Sequence, residues 1–238
     1  MPKFFFLFVF VFITDIIVVA QSPGGVSHRD NSAEDYVNQL YYSSRQKDIS
    51  INNGIQHFPY SPAIEGTAYF ISDAWQKGTI EYQGVIYDNI QMNYDLVKDK
   101  VVIAPEGQSI FVSLFSPRIS WFSFSGYKFI RIEKIENTDP PTGFYQVLAT
   151  GKVNLFAKTT KIISEKIEHN AIARKFEETT RYYIQKEGIY YEVTNKNKLF
   201  NILKEQRNGI HGAIAQKKLK YRKDTEAFIL SAVQYYNK

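Results

Sequence analysis

The sequence predicts an α+β protein. It is mainly antiparallel β, a sandwich or an open barrel-like sheet, with a short N-terminal helix and C-terminal helices. From Gly66 to Val193, short runs of β-branched and aromatic residues alternate with Gly, Pro, Asn and Asp. After Asn195 the apolar spacing lengthens from two residues to that of a helix. The composition then says what must hold the core. The 238 residues include 18 Phe and 17 Tyr but no Cys, so buried rings rather than disulfides carry the stability.

The N-terminal elements come first. Lys3, the apolar run Phe4 to Ile13 and the small residues of Val18-Val19-Ala20 ahead of Gln21 have the order of a secretory signal peptide. Residues 1–20 are therefore expected to be removed. Asp15 interrupts the wider apolar stretch, which is too short to span a bilayer. Residues 21–33 are polar and glycine-containing and read as a flexible leader. Tyr36, Val37, Leu40 and Tyr41 are spaced as one face of a helix over Asp35 to Arg45.

The body, residues 34–195, is expected to be one mainly β domain. Thr79 to Tyr82 alternates polar and apolar residues and turns at Gln83-Gly84 into Val85-Ile86-Tyr87. Asp88-Asn89 is expected to turn the chain again before Ile90, Met92 and Tyr94. Lys98-Asp99-Lys100 precedes the strand Val101-Val102-Ile103. Strands follow over Ser109 to Phe115, Ile119 to Ser125 and Tyr127 to Ile132. Pro140-Pro141-Thr142-Gly143 marks a central loop. Phe144 to Ala149 and Val153 to Ala157 form a hairpin about Gly151-Lys152. Arg181 to Gln185 and Ile189 to Val193 form another, turning at Glu187-Gly188.

Residues 196–238 read as a basic helical segment packed on the same domain. Leu199, Ile202, Leu203, Ile210 and Ile214 make a stripe broken at Gly209 and Gly212. Asp224 is placed to cap a last helix whose apolar face is Phe228, Ile229, Ala232, Val233 and Tyr236.

Catalytic motifs are sparse. His28, His57, His169 and His211 are far apart, and no Gly-x-Ser-x-Gly elbow occurs. No His-x-x-x-His, His-Glu-x-x-His or Asp-x-Asp-x-Asp-Gly spacing is present, and thiolate ligands are missing. Asp95 and Asp99 offer hard oxygens across a turn, but turn acids of this kind ordinarily bond backbone amides. The sequence nominates no cofactor, no metal and no catalytic residue, although distant residues can still assemble a triad.

Two binding candidates remain. Lys196 to Lys223 carries nine bases against the single acid Glu205, a charge of +8 within a chain whose net charge is +5. Its densest part, Lys217, Lys218, Lys220, Arg222 and Lys223, suits an anionic surface or partner, or serves as a solvated face without any partner. The tandem pairs Tyr182-Tyr183 and Tyr190-Tyr191 are expected to place one ring on each side of their strands. The outward row is then a candidate platform for sugars or apolar ligands, or ordinary cross-strand packing.

The stretch Gly66-Thr-Ala-Tyr69-Phe70, Trp75-x-x-Gly78, Ile80-x-Tyr82-x-Gly84-x-x-Tyr87-x-Asn89, Tyr94-Asp95 and Asp99-x-Val101-Val102 resembles a family of exported Bacteroidota proteins. Asn53-Gly54-x-x-x-x-Pro59-Tyr60 and the closing Tyr235-Tyr236-Asn237 add to the likeness, which is scattered over most of the exported chain. The resemblance implies a lineage and an exported location, periplasmic or secreted. It implies no activity, because that family has none assigned. Without a lipobox cysteine, no lipid anchor is expected.

The leading functional expectation is a non-catalytic cell-envelope interaction module. Its partner would be another envelope protein, an anionic lipid or a lipopolysaccharide surface. Nucleic acid is not expected, because export leads away from it, and no segment after the signal is long enough to cross a membrane. A glycan- or hydrophobic-ligand-binding β protein is the alternative, and a hydrolase without a recognisable motif comes third.

Overall fold

The computed structural model describes residue 36 and residues 51–238 other than 106, 108, 135–139 and 169–170. The chain divides into Met1–Ser44 and Arg45–Lys238, and the architecture below belongs to the second unit. The expected signal peptide, leader and helix over Asp35 to Arg45 lie outside the described residues, apart from the helical Tyr36.

Among the described residues, twelve strands form one open sheet. They are β1 (Ile55–His57), β2 (Ile64–Glu65), β3 (Gln76–Tyr82), β4 (Val85–Asp95), β5 (Lys100–Ile103), β6 (Phe111–Ser113), β7 (Ile119–Phe124), β8 (Tyr127–Ile132), β9 (Gly143–Ala149), β10 (Val153–Glu168), β11 (Ala171–Lys186) and β12 (Ile189–Glu192). The order across the sheet is β1-β6-β5-β4-β3-β7-β8-β9-β10-β11-β12. All of these neighbours pair antiparallel, while the short β2 pairs parallel with β11. Chain neighbours joined by tight turns are therefore sheet neighbours, as Gln83 (φ 55°) and Gly84 (φ 76°) show between β3 and β4.

Three helices close the described chain: α1 (Lys196–Ile202), α2 (Arg207–Gln216) and α3 (Thr225–Tyr236). Among the described residues no helix is long and apolar enough to cross a membrane.

The mainly antiparallel sheet with C-terminal helices agrees with the sequence reading, but several details differ. Asp88-Asn89 does not end a strand. Asn89 takes φ 61° inside a bulge where the register slips between Gly78 and Ile80, and β4 continues to Asp95. Gly209 and Gly212 do not interrupt α2. A Cβ on Gly209 would overlap the Tyr235 ring and hydroxyl, so glycine here lets α3 approach closely. Asp224 occupies the cap position of α3, but its Oδ2 accepts from the Lys220 amide at 3.1 Å and makes no cap bond to α3. Above all, β10 and β11 run for 16 residues each, far beyond the two short strands expected there.

Among the described residues, three apolar clusters lie along the sheet. The first is aromatic and spans β3 to β9. Phe122 stacks on Phe129 at 4.8 Å, and Tyr94 meets Phe122, Phe129 and Phe144 edge-on. The second joins Val153, Leu155 and Ile184 to Leu199, Phe200, Ile210, Phe228, Ile229 and Val233 of the helices. Pleat alternation then leaves the next residues, Phe156, Tyr183 and Tyr190, on the opposite face, where they pack with Ile130, Ile132, Tyr145 and Val147.

Candidate functional site

The cationic segment maps to the connector between α2 and α3. Lys217, Lys218, Lys220, Arg222 and Lys223 are all exposed, and among the described residues none forms an ion pair. Lys218 takes φ 52° where α2 ends, and Asp224 ties the loop by accepting from the Lys220 amide. Tyr221 anchors the connector by packing edge-on to Phe228 at 5.4 Å, and burial raises its hydroxyl pKa. The anchoring ring points into the helical core and the charges point out.

A cleft of about 620 Å³ opens between this connector and the start of α1. It is lined by Thr194, Asn195, Lys196, Asn197, Lys198, Asn201, Tyr221 and Arg222. No carboxylate is among these residues. Asn195 holds the entry to α1, its side-chain oxygen accepting from the Lys198 amide at 2.9 Å. The ammonium of Lys196 lies 5.8 Å from the Phe200 ring centre and 5.7 Å from that of Phe228. Three cations and three amides around one opening can receive a carboxylate or phosphate by charge and hydrogen bonding together.

The four tyrosines of the second candidate divide by face. Tyr182 and Tyr191 lie on the helix side, and the Tyr182 hydroxyl donates to Glu226 Oε2 at 3.3 Å. Burial, then Glu226, pushes its pKa up to about 12. Tyr183 and Tyr190 lie on the other side. Tyr183 is buried edge-on against Tyr145 at 5.6 Å, while Tyr190 is half-buried beside Phe156 at 6.1 Å. Only Tyr190 of the four lines a cleft on that face. Trp121 is half-buried at the sheet surface, with the Lys128 ammonium 5.1 Å from its ring centre.

Two polar clusters that the sequence did not bring together fasten β10 to the rest of the sheet. His57 is 3% exposed. Its Nε2 lies 2.9 Å from the Tyr69 hydroxyl and its Nδ1 lies 3.2 Å from Ser113 Oγ. Burial, and then Lys98, holds its pKa below the ordinary histidine value. Asp95 is fully buried. Its Oδ1 accepts from the Val97 and Lys98 amides, and Tyr60 donates to Oδ2 at 3.0 Å. Lys161 reaches across to donate to the carbonyls of Thr67 and Tyr69 at 3.0 and 2.8 Å.

The second cluster is Tyr94, Asp99 and Lys158. Tyr94 donates to Asp99 Oδ1, and Lys158 pairs with Oδ2 at 2.7 Å. Burial lowers the Lys158 pKa against the raising effect of Asp99. Asp95 and Asp99 thus engage different partners, one the turn amides and the other a lysine. These groups satisfy one another across strand junctions, which is the geometry of fasteners. Among the described residues no three His, Cys, Asp or Glu side chains gather as a metal centre requires.

No family model, no curated protein and no solved structure matches this chain. The chemistry of the chain's own surfaces therefore carries the functional reading.

Proposed function

We propose that this chain is an exported, non-catalytic binding module of the cell envelope, from the Bacteroidota family it resembles, and that its C-terminal cationic face docks an acidic segment of another envelope protein. The observation that carries the reading is the cleft framed by Lys196, Lys198 and Arg222 beside four further exposed connector cations, Lys217, Lys218, Lys220 and Lys223. Export rests on Lys3, the run Phe4 to Ile13 and the small residues before Gln21.

An acidic polypeptide suits this face better than lipid. Among the described residues, none of the large apolar side chains exposed to solvent falls within residues 196–238. The face therefore lacks the apolar side chains that would insert beside the charges at a bilayer surface. Asparagine amides around the cleft match carboxylate and peptide oxygens.

Fluorescence anisotropy with a labelled oligoglutamate peptide tests the reading. Saturable binding is expected, weakening as salt rises. Changing Lys217, Lys218, Lys220, Arg222 and Lys223 together to Gln should reduce it at least about tenfold, the scale of losing several charge-assisted contacts. Equal binding by the charge-neutralised variant, or binding to anionic phosphatidylglycerol vesicles but not to the peptide, refutes it.

A further inference from the structure

Strands β8 to β12 carry a cleft that neither the fold nor the cationic connector explains. Its volume is about 610 Å³, within the roughly 300–1,000 Å³ typical of small-ligand sites. Neighbouring strands build it from side chains that share one face. β8 contributes Lys128 and Ile130, β9 contributes Val147, β10 contributes Asn154 and Phe156, β11 contributes Gln185, and β12 contributes Tyr190. The registers align them, with Val147 opposite Phe156, Asn154 opposite Gln185, and Gln185 opposite Tyr190.

The lining has two chemistries on two sides. Ile130, Val147, Phe156 and the half-buried Tyr190 ring supply an apolar, aromatic floor. Asn154 and Gln185 supply a wall of amides, already ordered because Asn154 Nδ2 donates to Gln185 Oε1 at 3.0 Å while Asn154 Oδ1 accepts from the Gly151 amide at 3.2 Å. The Gln185 side-chain amide can donate to a ligand oxygen. Lys128 is exposed at the rim, and among the described residues no carboxylate lines the cleft.

We infer that this cleft binds a glycan through an acidic pyranose unit. A pyranose has an apolar C–H face that packs on an aromatic ring and an edge of hydroxyls that match amides. A carboxylate on the ring complements Lys128. An acyl chain would offer no acceptor to the Gln185 side-chain amide hydrogens, so it fits the site less well. This cleft shares no lining residue with the cationic one, so the inference stands independently of the cationic docking face.

Calorimetric titration of the exported chain with oligogalacturonate, and separately with a neutral cello-oligosaccharide, tests it. Saturable binding of oligogalacturonate is expected, stronger than that of the neutral chain by about tenfold or more. Tyr190→Ala and Gln185→Ala should each weaken it about tenfold, the scale of losing a central aromatic or polar anchor. Lys128→Gln should remove the preference for the acidic sugar. Because Tyr190 also packs against Phe156, the more exposed Lys128→Gln and Gln185→Ala variants keep the test valid if Tyr190→Ala loses fold by circular dichroism. A Lys196→Gln, Arg222→Gln double variant should bind oligogalacturonate as the unaltered chain does. No saturable binding, equal affinity for the neutral oligosaccharide, or binding lost in the double variant but kept in Gln185→Ala overturns the inference.

Discussion

The two ends of the β10–β11 hairpin use the same pairing but meet opposite environments. At its base, Leu155 opposes Ile184, and both are fully buried beneath the helices. Toward its tip, Ile167 opposes Ile172 in the same ladder, yet these side chains are 83% and 60% exposed. Lys161 stands between the two regimes, tied to the carbonyls of Thr67 and Tyr69. Beyond it, the short β2 at Arg174 and Lys175 and the packing of Tyr60 on Phe176 add support. Strand pairing is set locally by the hairpin, whereas burial depends on what the rest of the chain lays over it.

The largest expected effect lies at the base. Leu155→Ala or Ile184→Ala should destabilise the protein by about 2–5 kcal/mol, because a cavity opens where sheet and helices interlock. Urea denaturation followed by circular dichroism measures it. A loss near that of a surface substitution would mean that the base is not part of the cooperative core.

Lys161→Met at the boundary should cost about 1–3 kcal/mol, since it leaves the Thr67 and Tyr69 carbonyls without their ammonium donor. Hydrogen exchange adds a sharper readout. Faster exchange should appear in β10 beyond residue 161 before it appears at the base. Uniform acceleration along the hairpin would show that Lys161 is no boundary.

A smaller effect is expected of pH through His57, which packs against Tyr69 beneath this boundary. Its folded pKa lies below the unfolded value of about 6.5. The neutral ring is therefore the folded form, and its contribution is complete above pH 6.5. That contribution falls as the pH drops from 6.5 through the folded pKa, because the unfolded chain takes up the proton first. Urea midpoints between pH 7.5 and 5.5 should decline, and His57→Gln should flatten the decline relative to the unaltered chain. An unchanged slope in His57→Gln would assign the acid sensitivity to other groups.

The smallest effect belongs to the tip. Ile167→Ala should change stability by no more than about 0.5 kcal/mol, as expected where a side chain buries almost nothing. Thermal unfolding beside Leu155→Ala completes the comparison. A loss comparable to that of the base variant would show that the tip is covered in solution.

Much of the body was legible from local signals. The turns at Gln83-Gly84 and Glu187-Gly188 are read from glycines and polar residues that allow positive φ. The last helix is read from Phe228, Ile229, Ala232, Val233 and Tyr236, all of which are buried. The extensions of β10 and β11 were not legible. Runs such as Ser164-Glu165-Lys166 and Glu177-Glu178-Thr179 lack the apolar alternation of a half-buried strand, because much of the hairpin buries little. Asn89 gave a turn signal, but its left-handed backbone serves a bulge whose pairing depends on Gly78 and Ile90.

The candidate sites divide in the same way. The cationic connector was visible as charge density, whereas the framing of its cleft by Lys196 and Lys198 needed α1 folded against Tyr221 and Arg222. Alternation assigned the tandem tyrosines to two faces, but only the packed helices decided that Tyr182 and Tyr191 would be covered. Nothing in the spacing of His57, Tyr69 and Ser113 announced their contact.

By itself the sequence determined the β-rich class, the aromatic core, the helical C-terminus and the basic segment, because periodicity, turn chemistry and charge act over neighbouring residues. Only the tertiary structure decided which face of each strand is covered, where β10 and β11 stop being buried, and which side chains share a cleft. Those outcomes depend on contacts between residues far apart in the chain, whose geometry exists only once the sheet and helices have packed.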